Sequence, residues 1–241
     1  MPQVAVSAAG GRADLGGEAG GEHAGEVGGR VGGALGPWGW YGKAPGRGDF
    51  FRQGLTPGFV AAWDAWLQAL IGAGRGALGA GWREAYFAAP IRRFALSPGL
   101  CGPRGAVGVM MPSVDRVGRM FPLCLAAETD APAAEAWRAA EPRFEALETA
   151  ALSMLSLEAT PDLLARALPH LAPSAPPRWA ALEDALAALD RAPGRSLWAT
   201  APGDGARVLL ADGMPRSAAE AAALFDPHAG RPPRARPTPA D

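Results

Sequence analysis

A chain of 241 residues with 49% hydrophobic and 20% charged side chains has the balance of a globular protein with a sizeable core, and excludes a disordered or membrane-embedded one. Its formal charge of -1 offers no net field to draw in DNA, RNA or an anionic bilayer, so no nucleic-acid partner is expected. There is no apolar run of membrane-spanning length and no cationic start leading into an apolar stretch, so neither direct membrane insertion nor a secretory signal is expected, and the chain reads as cytoplasmic.

Residues 1–36 hold twelve glycines, scattered acids and no aromatic residue, a composition that cannot offset chain entropy by burial, and a disordered arm or a misassigned start is expected there. The fold is expected over residues 37–226, and residues 227–241, rich in proline and arginine, read as a solvated tail. WGWYGK has the large aromatics of a first strand, closed by the turn formers of APGRGD. Thr56 suits an N-cap and Pro57 a first helical position, and Phe59, Trp63, Trp66, Leu67 and Leu70 recur at helical spacing until the glycines from Gly72 onward are expected to stop the helix.

A second helical or irregular piece follows at GWREAYFAAP, then a strand at IRRFALSPG. AVGVMM and MFPLCLAAE read as a buried antiparallel pair around the charged tip PSVDRVGR, where Pro112 keeps Met111 extended, Gly118 can take a positive φ, and Ser113 or Asp115 can bond the turn's own backbone. Trp137, Phe144, Leu147, Ala151, Met154 and Leu155 then follow helical spacing broken at Pro142, and Thr160-Pro161-Asp162 starts another helix. One more helix is predicted over residues 177–190, strands at SLWAT and RVLLA, and a closing helix over residues 217–225. The fold class is therefore α+β, one domain whose mainly antiparallel sheet is flanked by helices, with a mixed sheet left open.

Chemistry is harder to find. Cys101 and Cys124 sit in apolar surroundings without a CxxC pair and read as buried thiols; His23, His170 and His228 lie away from the charged stretches, so no metal site is expected. GWYGKAPGRGD has a phosphate loop's composition but not its spacing, because Lys43 precedes the turn and no Ser or Thr follows it into a helix. What remains is a set of charges beside Trp, Phe and Met: Lys43, Arg47 and Asp49 in one loop, Arg92 and Arg93 in a strand, and Asp115, Arg116 and Arg119 with Ser113 at the hairpin tip. Such charges are costly to bury unpaired, so a bidentate Asp–Arg network pinning loops to the sheet is the preferred reading. A rim that receives a carboxylate or phosphate is the other. Ser113 has no evident base to activate it as a nucleophile.

Several stretches keep the order and spacing of one known family: Gly39-Trp40-Tyr41-Gly42-Lys43, Arg47-Gly48-Asp49-Phe50, Trp63-Asp64-Ala65-Trp66-Leu67, Pro90-Ile91 with Arg93-Phe94, Pro98-Gly99-Leu100-Cys101-Gly102, and Gly108 through Arg119 with Phe121-Pro122-Leu123. Over residues 38–127 the chain resembles the TagF family, also called ImpM, of bacterial type VI secretion. The resemblance implies a cytoplasmic accessory protein that regulates, commonly represses, the assembly or firing of the secretion machine after translation, through a forkhead-associated scaffold of the same system. It implies no catalytic residue and no cofactor. The expectation is a non-enzymatic binding protein whose candidate contacts are Lys43, Arg47, Asp49, Arg93, Ser113, Asp115, Arg116 and Arg119. The alternative is an enzyme or small-ligand protein that uses the same cluster on a phosphorylated or nucleotide ligand.

Overall fold

The computed structural model describes residues 35–175, 179–203 and 206–227. The arm expected over residues 1–36 and the tail expected over 227–241 therefore lie outside the described residues, save for Leu35, Gly36 and Pro227. Leu35 packs on the core and the Gly36 N–H donates to the Glu128 carbonyl at 3.0 Å, so tertiary contacts begin ahead of the expected boundary.

Among the described residues seven strands form one sheet: β1 (Trp38–Gly42), β2 (Phe51–Gln53), β3 (Arg92–Leu96), β4 (Gly105–Met111), β5 (Leu123–Thr129), β6 (Arg195–Ala199) and β7 (Val208–Asp212). Their order is β2-β1-β5-β4-β3-β6-β7 and every neighbouring pair is antiparallel, so the mixed arrangement left open by the sequence does not occur. β4 and β5 pair over seven residues, from Gly105 opposite Thr129 to Met111 opposite Leu123, with every position buried. Burial on both faces explains why their sequences are apolar without alternation.

Helices cover both faces. On one, α1 (Pro57–Leu78), α2 (Trp82–Ala88) and α7 (Ala218–Phe225) enclose Tyr41, Phe94, Leu96, Met110, Cys124 and Trp198. On the other, α3 (Ala133–Ala140), α4 (Phe144–Ser153), α5 (Pro161–Ala167) and α6 (Ala180–Arg191) enclose Trp40, Val107, Val109, Met111, Leu125 and Leu197. Trp63 is buried against Phe94 at 4.9 Å and Trp198 at 6.1 Å, ring centroid to centroid, and the Trp66 indole N–H donates to the Pro215 carbonyl at 2.7 Å. Both tryptophans lie on the apolar stripe that the spacing predicted.

Two local departures have physical causes. Thr56 caps α1 as expected, accepting from the Phe59 N–H at 3.2 Å with Pro57 in the first turn, but the helix does not stop at Gly72. It runs to Leu78 because Gly74 is where the Trp82 ring packs: a Cβ at Gly74 would stand 2.4 Å from that ring. Leu155, placed on a helical stripe by its spacing, lies instead beyond the end of α4 and is exposed. The break at Pro142 is a single 3-10 turn, Glu141–Arg143, between α3 and α4.

Candidate functional site

β1 and β4 are both antiparallel to β5, so they run in the same direction and their C-terminal ends emerge together. The β1–β2 loop, residues 43–50, and the β4–β5 tip, residues 112–122, therefore meet at one end of the sheet. Within the tip, Val114 pairs with Met120, the Phe121 N–H donates to the Ser113 carbonyl at 3.0 Å and the Gly118 N–H to the Asp115 carbonyl at 2.9 Å. Gly118 sits at φ 83°, a left-handed conformation that the turn requires and that a side chain would strain.

Asp115 is the centre of this arrangement. Its carboxylate is wholly inaccessible and each oxygen has two donors: Oδ1 accepts from the Val117 N–H at 3.1 Å and the Arg119 N–H at 2.9 Å, Oδ2 from Lys43 Nζ at 2.9 Å and Arg119 Nε at 2.6 Å. Burial acts to raise its pKa, but the hydrogen bonds from Lys43 and Arg119 outweigh that and hold it well below the usual carboxylate range. The Lys43 ammonium also lies 4.8 Å from the Phe50 ring centre, and Phe50 stacks on Tyr41 and meets Phe121 edge-on. Arg119 Nη2 then donates to the Gly48 carbonyl at 2.9 Å and the Arg116 N–H to the Arg47 carbonyl at 2.7 Å, stitching the two loops together.

The structure brings Lys43, Asp115 and Arg119 into one network and sets Arg47 and Arg116 side by side above it, both exposed. Asp49 is exposed and forms no ion pair among the described residues. Ser113 is buried; its N–H donates to the Tyr86 hydroxyl at 3.1 Å, that hydroxyl donates back to the Ser113 carbonyl at 2.8 Å, and its own Oγ has no partner among the described residues. Asp115 has no lone pair left over to serve it as a base.

Arg93 stands apart. It faces the α3–α6 layer and forms a two-pronged bond to Glu148 on α4, at 2.7 and 3.0 Å, with its guanidinium over Phe144. Arg92, grouped with it by sequence, points to the opposite face and donates to the Leu224 and Ala223 carbonyls at 3.0 and 2.7 Å, at the C-terminal end of α7. Burial, and then the charge of Arg207, lower its pKa to about 10. Arg207 itself donates to the Asp226 and Pro227 carbonyls, so two cations serve the negative end of one helix.

Some polar anchors carried no readable signal. Glu128, on β5, accepts from the Thr56 N–H at 2.7 Å and its hydroxyl at 2.9 Å, fixing the start of α1. Asp64 on α1 accepts from the Tyr41 hydroxyl at 2.6 Å, and burial together with this carboxylate pushes the phenol pKa up. Only a helix start opposite a strand end could have hinted at the first of these. Cys101 and Cys124 are buried free thiols, Cys101 pushed up to about 12 by burial, which keeps it protonated and unreactive. His170 lies in a 3-10 turn after α5, and His23 and His228 lie outside the described residues. Among the described residues no group of three or more His, Cys, Asp or Glu is arranged to hold a metal ion, and no helix is long and apolar enough to cross a membrane.

Comparison with known proteins agrees with this architecture. The family model of the TagF N-terminal domain, type VI secretion system-associated, matches residues 39–171, which extends the similarity past the motifs through α5. The crystal structure of PA0076 from Pseudomonas aeruginosa PAO1 is 35% identical in sequence and superposes with a TM-score of 0.65 over 78% of this chain and 94% of that one. No curated protein sequence matches significantly. The chain, with its motif loops tied together around Asp115, belongs to the TagF family of type VI secretion-associated proteins.

Proposed function

We propose that this chain is a non-enzymatic regulator, in the repressing sense, of type VI secretion assembly or firing, acting after translation by binding the forkhead-associated scaffold of the same system. One observation carries the reading beyond family membership. The groups of the motif that could do proton or nucleophile chemistry, Asp115 and Ser113, are enclosed, and both Asp115 oxygens are saturated, while Arg47, Arg116 and Arg119 are exposed. A charge held by four donors is a pin, and arginines placed on a rigid pair of loops are suited to protein contact.

The test combines cell and tube. Deleting the gene should raise effector release by the secretion machine, supplying the chain in excess should lower it, and the purified full chain should co-elute with the purified scaffold. Release that is unchanged in both directions, or an absence of co-elution, overturns the regulatory reading. Turnover of a phosphoester or acyl compound by the purified chain, abolished by Asp115→Asn or Ser113→Ala, would instead establish an enzyme.

A further inference from the structure

Large apolar side chains scattered singly on a surface are ordinary, whereas several on one rigid end ask for a partner. Phe50 is 44% exposed, Val117 71%, Leu155 44% and Leu157 70%. Phe50 and Val117 belong to the two loops joined around Asp115. Leu157 belongs to the stretch after α4, and that stretch touches the same loops: a Cβ on Gly46 would come within 2.5 Å of the Leu157 carbonyl oxygen. A Cβ on Gly48 would meet Arg116 Nη2 at 3.6 Å. At this end Gly46 therefore adjoins the Leu157 backbone and Gly48 adjoins the Arg116 side chain, so exposed apolar residues and arginines share one end of the sheet.

The charges select the occupant. Arg47 and Arg116 have no carboxylate partner among the described residues, while Arg119, 62% exposed at its side chain, is bonded at Nε to Asp115 and at Nη2 to the Gly48 carbonyl and keeps its remaining donor at the surface. Guanidinium forks match carboxylates, and arginine beside apolar and aromatic side chains is the composition of protein interfaces. A polyphosphate backbone or an anionic bilayer needs an extended basic field, which a few arginines interspersed with Asp49 and Glu158 on a chain of charge -1 do not supply, whereas separate carboxylates need only a local arginine each. A second copy docked isologously would set arginine against arginine. We infer that this end of the sheet is a preorganised docking surface for an acidic, apolar-bearing segment of a protein partner, with its carboxylates opposite Arg47, Arg116 and Arg119 and its apolar side chains over Val117, Leu155 and Leu157. The inference rests on the partner reading above and assigns it a surface and a chemistry.

The experiment is calorimetric titration of the full chain with the purified forkhead-associated scaffold, at salt from about 50 to about 300 mM. Arg47→Glu with Arg116→Glu is expected to weaken binding by more than about tenfold and to flatten its salt dependence. Leu155→Ser with Leu157→Ser should weaken it by about fivefold while leaving the salt slope intact, since these side chains contribute burial rather than charge. Arg104→Glu, at the opposite end of β4, should bind as the wild type. Unchanged thermal melts establish that the variants are folded. As a second readout, hydrogen exchange in the complex should protect residues 46–50, 115–119 and 155–158. If the wild-type chain does not bind the scaffold, the partner reading falls and this surface with it. If the wild type binds and both variants bind equally well, or protection appears elsewhere, the surface assignment alone is overturned.

Discussion

Lys43 and Asp115 lie 72 residues apart in sequence and share one buried bond, with the Lys43 ammonium over the Phe50 ring. Asp115→Ala leaves the ammonium buried without its counter-charge, and a loss of about 3–5 kcal/mol in urea unfolding is expected, the range for one broken partner of a buried pair. The acid side carries a second signature. Because the folded carboxyl titrates well below its unfolded value near about 3.9, the unfolded chain takes up the proton first as the pH falls. The stability due to Asp115 is thus complete above about pH 5 and declines below about pH 4, so the gap in stability between wild type and Asp115→Asn should shrink across that window. A gap that stays constant between about pH 6 and about pH 3 would show that the charged form is not held as described.

At the scale of elements, α1 shows propensity yielding to packing. Each interior glycine costs a helix about 1 kcal/mol, and three of them between Gly72 and Gly76 are enough to predict a stop. The Trp82 ring on Gly74 reverses that outcome locally. Two substitutions separate the effects: Gly74→Ala drives a methyl into the ring and should lower the melting temperature, costing about 1–3 kcal/mol, whereas Gly76, with open space around it, should gain about 0.5–1 kcal/mol on change to Ala. Shifts of the same sign would show that Trp82 does not set the helix length. Two helix starts, by contrast, were legible, because Thr56 with Pro57 and the Pro161 turn are short-range signals, whereas the capping box of Ser217 with Glu220 at the head of α7 emerged from the structure. β2 was not legible, because three residues with Arg52 and Gln53 both exposed show no alternation, and only pairing to β1 makes them a strand.

At the scale of the molecule, one antiparallel sheet separates two apolar layers, and among the described residues each helical layer buries its apolar side on that sheet. Loss of the sheet should release both together. Trp137 reports the α3–α6 side and Trp63 the α1 side. Urea unfolding followed by fluorescence in Trp137→Phe and Trp63→Phe variants should therefore coincide, within each variant, with the helix signal from circular dichroism. Two separated transitions would mean that the layers fold as independent units. The docking end belongs to this scale too, because it is assembled from β1, β4 and the stretch after α4, and its rigidity depends on the whole sheet holding them in register.

The amino-acid sequence by itself determined the α+β class, the antiparallel central hairpin, the starts of α1 and α5, the buried tryptophans of α1 and the motif that marks the family. All of these are written in spacing over a few residues, where backbone geometry acts directly. Only the tertiary structure decided which charge met which. Lys43 reached Asp115, Arg93 reached Glu148 across 55 residues, and Arg92 turned to the carbonyls of α7 across 131, although the two arginines are neighbours. Adjacent strand residues point to opposite faces, so a run of charges in sequence becomes separate sites in space, and the pairing is set by the long-range contacts that close the fold.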